Sequence, residues 1–366
     1  MKFSLVPAVL GIIISLAGST TAHDDKKDTG GSEKLERSMP VDSHASITLC
    51  VMSGQLTVRA WDKTDLRVRS TDADSLELRR IDKAKDPATP PARVDVMVSD
   101  KQTAKMDCQA FADVEMDVPK DATVQVQTRD GDISVTGVSG VYAGSQNGDI
   151  IIERASKFVE AGSVGGSIVL RNSTGRINLS SAGGGVEASS VRPITSDDIF
   201  EVGTVSGDIR LERIGNPKIV VKTVNGTVSM SGPLVKSGHY GFTTMGGDVF
   251  LMMPNDSSFT LNARVTENTD IVSDFPLKYL PENPPATPTP KAKPAPEVKS
   301  KPKGTPPAPG SNKIEKMDKL GPVIAPMVVV KPLIANPFKR INAVCGSGDA
   351  TISLSSFGGT LHLKKI

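Results

Sequence analysis

Apolar and polar residues alternate along much of this chain in short bursts punctuated by glycine, aspartate or asparagine. Alternation is strict in Asp113-Val-Glu-Met-Asp-Val118 and in Val124-Gln-Val-Gln-Thr128, with Pro119-Lys-Asp-Ala122 as the turn between them. It returns in Gly54-Gln-Leu-Thr-Val-Arg-Ala-Trp-Asp62, followed by Leu66-Arg-Val-Arg69. A period of two puts neighbouring side chains on opposite faces of a strand, so these stretches predict two pairs of half-buried strands.

A repeat organises the rest: a small polar residue, Gly, often Asp, a β-branched residue, any residue, an aliphatic. It occurs as Asp130-Gly-Asp-Ile-Ser-Val135, Asn147-Gly-Asp-Ile-Ile-Ile152, Gly165-Gly-Ser-Ile-Val-Leu170 and, more loosely, Thr174-Gly-Arg-Ile-Asn-Leu179. It continues as Ser206-Gly-Asp-Ile-Arg-Leu211, Asn225-Gly-Thr-Val-Ser-Met230 and Gly246-Gly-Asp-Val-Phe-Leu251, then closes with Ser347-Gly-Asp-Ala-Thr-Ile352 and Gly358-Gly-Thr-Leu-His-Leu363. The glycines are expected to supply positive φ for tight turns. The mean step between Gly131 and Gly247 is about 19 residues if the turn at Gly175 falls inside a coil. A unit of that size cannot bury its own apolar face, and stacking supplies one continuous core. The expected fold is therefore all-β, a β-solenoid of short Gly-Asp-Ile repeats, single-stranded β-helix or β-roll in character. A β-sandwich of hairpins is the alternative, favoured by the short steps around Gly175. Residues 46–121, β-rich but less regular, are expected to cap the open end.

Composition adds the boundaries. Met1–Ala22 has a basic start, an apolar run from Leu5 to Leu16 too short to span a bilayer, and small residues before His23, the pattern of an export signal. Residues 23–44 read as a polar linker, 45–276 as the β-repeat domain and 342–366 as terminal repeats completing it. Between them, 277–341 reads as a disordered Pro/Lys-rich insertion; residues 281–310 alone hold 11 prolines and five lysines. No transmembrane segment is expected, and the address is the periplasm, cell envelope or cell surface. With 43 basic against 41 acidic residues, net charge gives no reason to expect nucleic-acid binding. With 4% aromatics, the core must come mainly from Val, Ile and Leu. Export permits disulfides. Of the three cysteines, Cys50 and Cys108 sit in strand-like segments and make the plausible pair, with three buried thiols the alternative.

Several blocks taken in order resemble the bacterial DUF4097/DUF4098 family, whose members carry the label adhesin. They are Ser53–Asp62, Val118-Pro-Lys-Asp-Ala-Thr-Val-Gln-Val126 with Asp130-Gly-Asp-Ile133, Ser273-Asp-Phe-Pro276, Cys345-Gly-Ser-Gly-Asp349 and Gly358-Gly359. The resemblance covers about 45–276 and 342–366, and the long Pro/Lys segment departs from it. It implies a β-solenoid-like fold at the envelope or surface, and it brings no catalytic residues.

Candidate chemistry is sparse. Gly131, Gly148, Gly166, Gly207, Gly226, Gly247 and Gly348 mark the repeat turns, and Asp132, Asp149, Asp208, Asp248 and Asp349 follow five of them at one register. A calcium site needs six to eight oxygens, which one Asp per coil does not offer, so the aspartates are expected to cap turns through local backbone hydrogen bonds. The weak Ala161-Gly-Ser-Val-Gly165 and Gly183-Gly-Gly-Val-Glu-Ala188 motifs lack the helix that a nucleophile elbow or dinucleotide site requires. The four histidines are scattered. No cofactor and no enzymatic activity are expected, a polysaccharide-active enzyme being the least favoured reading. The preferred function is an adhesin-like binding scaffold for an envelope glycan or surface protein, and the second is an assembly module. Lys291, Lys293, Lys299, Lys301 and Lys303 could add contacts to an anionic polymer.

Overall fold

The computed structural model describes residues 34–71, 73–82, 88–99, 108–266, 269–281 and 338–366. The proposed export signal and nearly all of the Pro/Lys insertion, including its five named lysines, lie outside the described residues.

Two sheets face each other across one aliphatic core. The first runs, in spatial order, β1 (Leu35–Pro40), β4 (Asp65–Thr71), β7 (Asp113–Pro119), β3 (Leu56–Trp61), β9 (Ile133–Thr136), β11 (Ile150–Glu153), β13 (Ile168–Arg171), β15 (Val186–Val191), β17 (Ile209–Ile214), β19 (Val228–Ser231), β21 (Val249–Met253), β27 (Thr360–Lys365) and β23 (Asp270–Ser273). The second runs β24 (Lys278–Tyr279), β25 (Phe338–Cys345), β22 (Phe259–Thr266), β26 (Ala350–Ser356), β20 (His239–Gly246), β18 (Lys218–Asn225), β16 (Ile199–Thr204), β14 (Arg176–Ser181), β12 (Phe158–Ser163), β10 (Gly140–Ser145), β8 (Thr123–Asp130), β2 (Ser46–Ser53), β6 (Arg93–Ser99) and β5 (Ser75–Arg80).

From β8 to β21 the chain crosses from one sheet to the other and back, and every contact between successive coils is parallel. This is a β-solenoid with two strands per coil. The sandwich alternative is excluded, because hairpins would pair neighbouring strands antiparallel. The short steps around Gly175 now have a cause: β14 lies in the second sheet, half a coil away from the repeats on either side. The longest coil carries the Pro193–Asp198 loop, held by the Asp198 carboxylate, which accepts hydrogen bonds from Ile194 N–H (2.6 Å) and Thr195 N–H (2.9 Å).

Inward positions carry Val, Ile and Leu in register from coil to coil. The larger rings Phe200, Tyr240, Phe242 and Phe259 are fully buried among them. Near the last coils Met230, Leu234, Tyr240, Phe242, Leu251, Met253 and Ile352 come together, apolar surroundings in which Tyr240 Oη still accepts Val235 N–H at 2.6 Å.

Both ends depart from the sequence reading. Leu35–Pro40, placed in the polar linker, forms β1, antiparallel to β4. The segments 54–62 and 66–69 do not pair with each other, because β7 lies between β3 and β4. Likewise β7 and β8 are not a hairpin, since they belong to different sheets. Lys278–Tyr279 and Phe338–Ile341, assigned to the insertion, are strand residues. At the far end the chain is out of order. The terminal β26 and β27 do not close the stack but enter it, between β20–β21 and β22–β23.

Cys50 and Cys108 are joined by a disulfide across 58 residues, while Cys345 is buried and free. Burial raises the Cys345 thiol pKa, Lys365 nearby opposing that rise. Folded protein is expected to expose no thiol to an alkylating reagent, unfolding alone to release one, and unfolding with reduction three, counted by mass spectrometry. Closing a loop of that length stabilises by about 4 kcal/mol, so Cys50→Ser with Cys108→Ser should lower denaturant stability by about that much.

Candidate functional site

The repeat turns line one edge of the solenoid, where each coil passes from the second sheet to the first. Gly54, Gly131, Gly148, Gly166, Gly184, Gly207, Gly226, Gly247 and Gly359 stack there in a column. A Cβ on Gly148 would lie 1.8 Å from the carbonyl oxygen of Gly131, and one on Gly166 2.0 Å from that of Gly148. The same collision recurs up to Gly359 against Gly247, at 2.2 Å. Within the column only Gly54, Gly247 and Gly359 have positive φ. The expected reason for these glycines is therefore corrected at most positions: they are required because backbones touch, not because the turn is left-handed. Positive φ is concentrated at the opposite edge, just after β9, β11, β13 and β19 and one residue before the ends of β15 and β17, at Gly137, Arg154, Asn172, Gly232, Ser190 and Arg213. Four of those six are not glycine, which hid this corner from the sequence.

Beside the glycines runs a second column that the sequence reading missed. Three residues before each glycine from Gly131 onward stands a buried hydroxyl: Thr128, Ser145, Ser163, Ser181, Thr204, Thr223, Thr244 and Ser356. Ser163 Oγ accepts the Gly166 N–H at 3.0 Å and donates to the Gly148 carbonyl at 3.1 Å, so one side chain closes its own turn and grips the coil before. Ser145, Ser181 and Thr204 repeat this bridge. At Thr223 and Thr244 the hydroxyls lack a partner among the described residues, and Gly226 N–H bonds the Gly246 carbonyl instead. The signal was present as a recurring Ser/Thr-x-x-Gly. It also identifies Ser163 and Gly184, set aside in two weak motifs, as ordinary members of the stack.

The aspartates act between coils rather than within turns. Asp132 Oδ1 accepts the Asp149 N–H at 2.9 Å, and Asp149 Oδ1 the Ser167 N–H at 2.7 Å. Asp208 does the same for Thr227 and Asp248 for Thr360, each at 2.7 Å. Asp349 is not in this ladder: with Gly348 it forms the turn between β25 and β26, in the second sheet, where its carboxylate accepts Ser347 Oγ–H. Among the described residues no group of three or more His, Cys, Asp or Glu could hold a metal.

With the edge committed to holding coils together, the outward side chains remain, aligned in rows by the parallel register. On the first sheet, Arg171 bridges Glu153 (3.6 Å) and Glu187 (3.8 Å) across three coils, and Phe250 stacks on His362 with ring centres 4.4 Å apart. On the second, Tyr142 packs on Phe158 at 5.0 Å. The register puts these four rings outside the core.

Parallel two-stranded coils on a column of touching glycines make this a β-solenoid protein. The chain belongs to the Toastrack DUF4097 family, whose profile matches residues 44–279. Among solved structures, it is similar to two proteins described as candidate adhesins. The one from Parabacteroides merdae is 8% identical over 61% of this chain and 90% of that one, with a TM-score of 0.38. The one from Parabacteroides distasonis is 10% identical over 62% and 92%, with a TM-score of 0.36. A Clostridium sporogenes protein described as a candidate in cell adhesion is 8% identical over 91% and 100%, with a TM-score of 0.20. No curated protein matches.

The columns predict contrasting substitutions. Gly148→Ala should cost about 3 kcal/mol or more, because backbone cannot yield to a new methyl group. On the open face, Gly203→Ala meets nothing closer than 3.6 Å and should be neutral or stabilise by up to about 1 kcal/mol. Ser163→Ala strands a buried N–H and should cost about 1–3 kcal/mol, whereas Ser163→Thr, native at the Thr204 position, should restore most of it. Denaturant unfolding measures all four.

Proposed function

We propose that this protein is an exported, non-enzymatic, adhesin-like scaffold of the cell envelope or surface that binds through the outer faces of its solenoid. The observation that carries the reading is the division of labour among polar groups. Five of the eight hydroxyls and four of the aspartates at the turn edge make inter-coil hydrogen bonds, while outward rows of Thr, Ser, Asn, Gln and Arg face solvent at strand spacing, half-buried or exposed. Such rows suit an extended ligand held by many similar contacts. Among the described residues no helix is long and apolar enough to cross a membrane.

The test is co-sedimentation of residues 23–366 with isolated cell envelopes, beside a variant lacking residues 282–310. Binding equal in both proteins is the expected result. Binding lost with the deletion would move recognition to the Pro/Lys segment, and sedimentation of neither would overturn the envelope assignment.

A further inference from the structure

Between β11 and β20 the chain crosses five times from the first sheet back to the second, at residues 154–157, 172–175, 192–198, 215–217 and 232–238. These crossings stack along the edge opposite the glycine column. Backbone contacts tie them coil to coil, as where Arg176 N–H donates to the Lys157 carbonyl at 3.2 Å and where Thr174 bridges to Arg192. Cations are exposed all along this edge: Arg154, Lys157, Arg192 and Lys236 in the crossings, with Arg176, Arg213 and Lys218 at the strand ends beside them. Against them the crossings hold two acids, Asp197 and Asp198, and the Asp198 carboxylate is engaged by Ile194 and Thr195 in its own loop. The run is bounded on both sides. Residues 137–139 are uncharged, and 254–258 and 346–349 carry Asp256 and Asp349 with no cation.

Pairing leaves most of this charge in place. Arg154 and Arg213 each lie beside one glutamate, Glu153 at 3.6 Å and Glu212 at 3.9 Å, and Glu153 is shared with Arg171. Arg176 has Asp198 as its electrostatic neighbour. Lys157, Arg192, Lys218 and Lys236 have no ion pair among the described residues. The backbone beneath two of the arginines is the informative feature. Arg154 (φ 55°) and Arg213 (φ 53°) are left-handed, at a corner where other coils place Gly137, Asn172, Ser190 and Gly232. That conformation disfavours side chains, glycine excepted and asparagine least, so arginine stands there against the preference of the chain. Cohesion does not require it: both side chains are exposed, and Arg213 adds only a bond to Ser190 Oγ at 3.3 Å. Strain kept without an internal return points to a use outside the molecule.

We propose that this edge, over the five crossings between residues 154 and 238, binds a linear anionic envelope polymer whose phosphate or carboxylate groups repeat along the chain. Successive coils lie about 4.8 Å apart, so one extended chain laid along the stack meets cations in succession over roughly 20 Å. Planar guanidinium groups match both anions by paired hydrogen bonds, and the lysines add point charges. The crossings contain no aromatic residue on which a nucleobase could stack. Ile194 is the only large apolar side chain exposed in them, which gives a bilayer little to hold. The inference adds a ligand class and an edge site to the scaffold role above and rests on that reading.

Residues 23–366 would be titrated against poly(glycerol phosphate) and against polygalacturonate, which separate the two anions, with neutral dextran, single-stranded DNA and phosphatidylglycerol vesicles as controls. Binding to at least one anionic polymer, weakened by salt and absent on dextran, is expected. Arg154→Gly with Arg213→Gly should weaken it about tenfold while leaving the melting temperature unchanged or higher, because glycine suits the left-handed corner. Arginines with a merely structural role would do the opposite, lowering the melting temperature and sparing affinity. Lys157→Glu with Arg192→Glu and Lys218→Glu should abolish binding in a chain that keeps its circular dichroism spectrum. Replacing Lys291, Lys293, Lys299, Lys301 and Lys303 by Gln should leave binding and its dependence on the edge in place. Undiminished affinity in either edge variant, loss of all binding in the Gln variant, equal binding to dextran, or preference for DNA or vesicles would each overturn the proposal. Envelope sedimentation that persists in the triple Glu variant would overturn this site and leave the scaffold role standing. Polymer binding through the edge without envelope sedimentation would do the reverse.

Discussion

The stack depends on how closely one turn backbone can approach the next. Parallel strands in adjacent coils lie about 4.8 Å apart, and at the turn edge the chain keeps that spacing with no side chain between. Each glycine sits against the carbonyl of its counterpart, so a single methyl group would wedge two coils apart. The hydroxyl column and the aspartate ladder follow from that contact. Once backbones touch, their N–H and C=O groups are shut away from water and must be paired. A short Ser or Thr inside the corner and a carboxylate outside it are the groups with the right reach. Coil length can then vary, as in the coil that carries Pro193–Asp198, because the edge fixes the register and the opposite side absorbs the difference.

What the sequence disclosed and what it hid separate along physical lines. Alternation disclosed the strands, and recurrence of glycine disclosed stacking, because both are local patterns. Which sheet a strand joins is not local: Arg176–Ser181 and Ile168–Arg171 share the same period and similar punctuation, yet lie in opposite sheets. The same ambiguity misplaced Gly348 and Asp349, whose Ser-Gly-Asp copies the repeat while serving a different turn. Strand neighbours were hidden for a related reason, since nothing in Gly54–Arg69 signals that β7 will part the two strands. The Ser/Thr-x-x-Gly column was legible but passed over, because serine and threonine are ordinary company for a turn. Only burial distinguishes these hydroxyls.

The same economy shapes what the molecule can offer a partner. A solenoid edge that spends its polar groups on cohesion leaves the outward faces as the surfaces whose side chains have no cohesive duty. On the first sheet those faces are partly self-satisfied, Arg171 between two glutamates being the clearest case. The edge opposite the glycines is cationic over the middle coils and acidic beyond them. One scaffold can thus carry distinct surfaces along its length without changing its core.

The entry of β26 and β27 between earlier strands gives the molecule an obligatory order of events. Residues 259–273 are synthesised before the coil that separates them from β20 and β21, so during translation they have no permanent seat. Either they rest on β20 and β21 and must be dislodged, or they wait unpaired until the last residues arrive. Residues 350–365 are thus the keystone of the distal coils, and a chain without them would lack an interior layer of the stack.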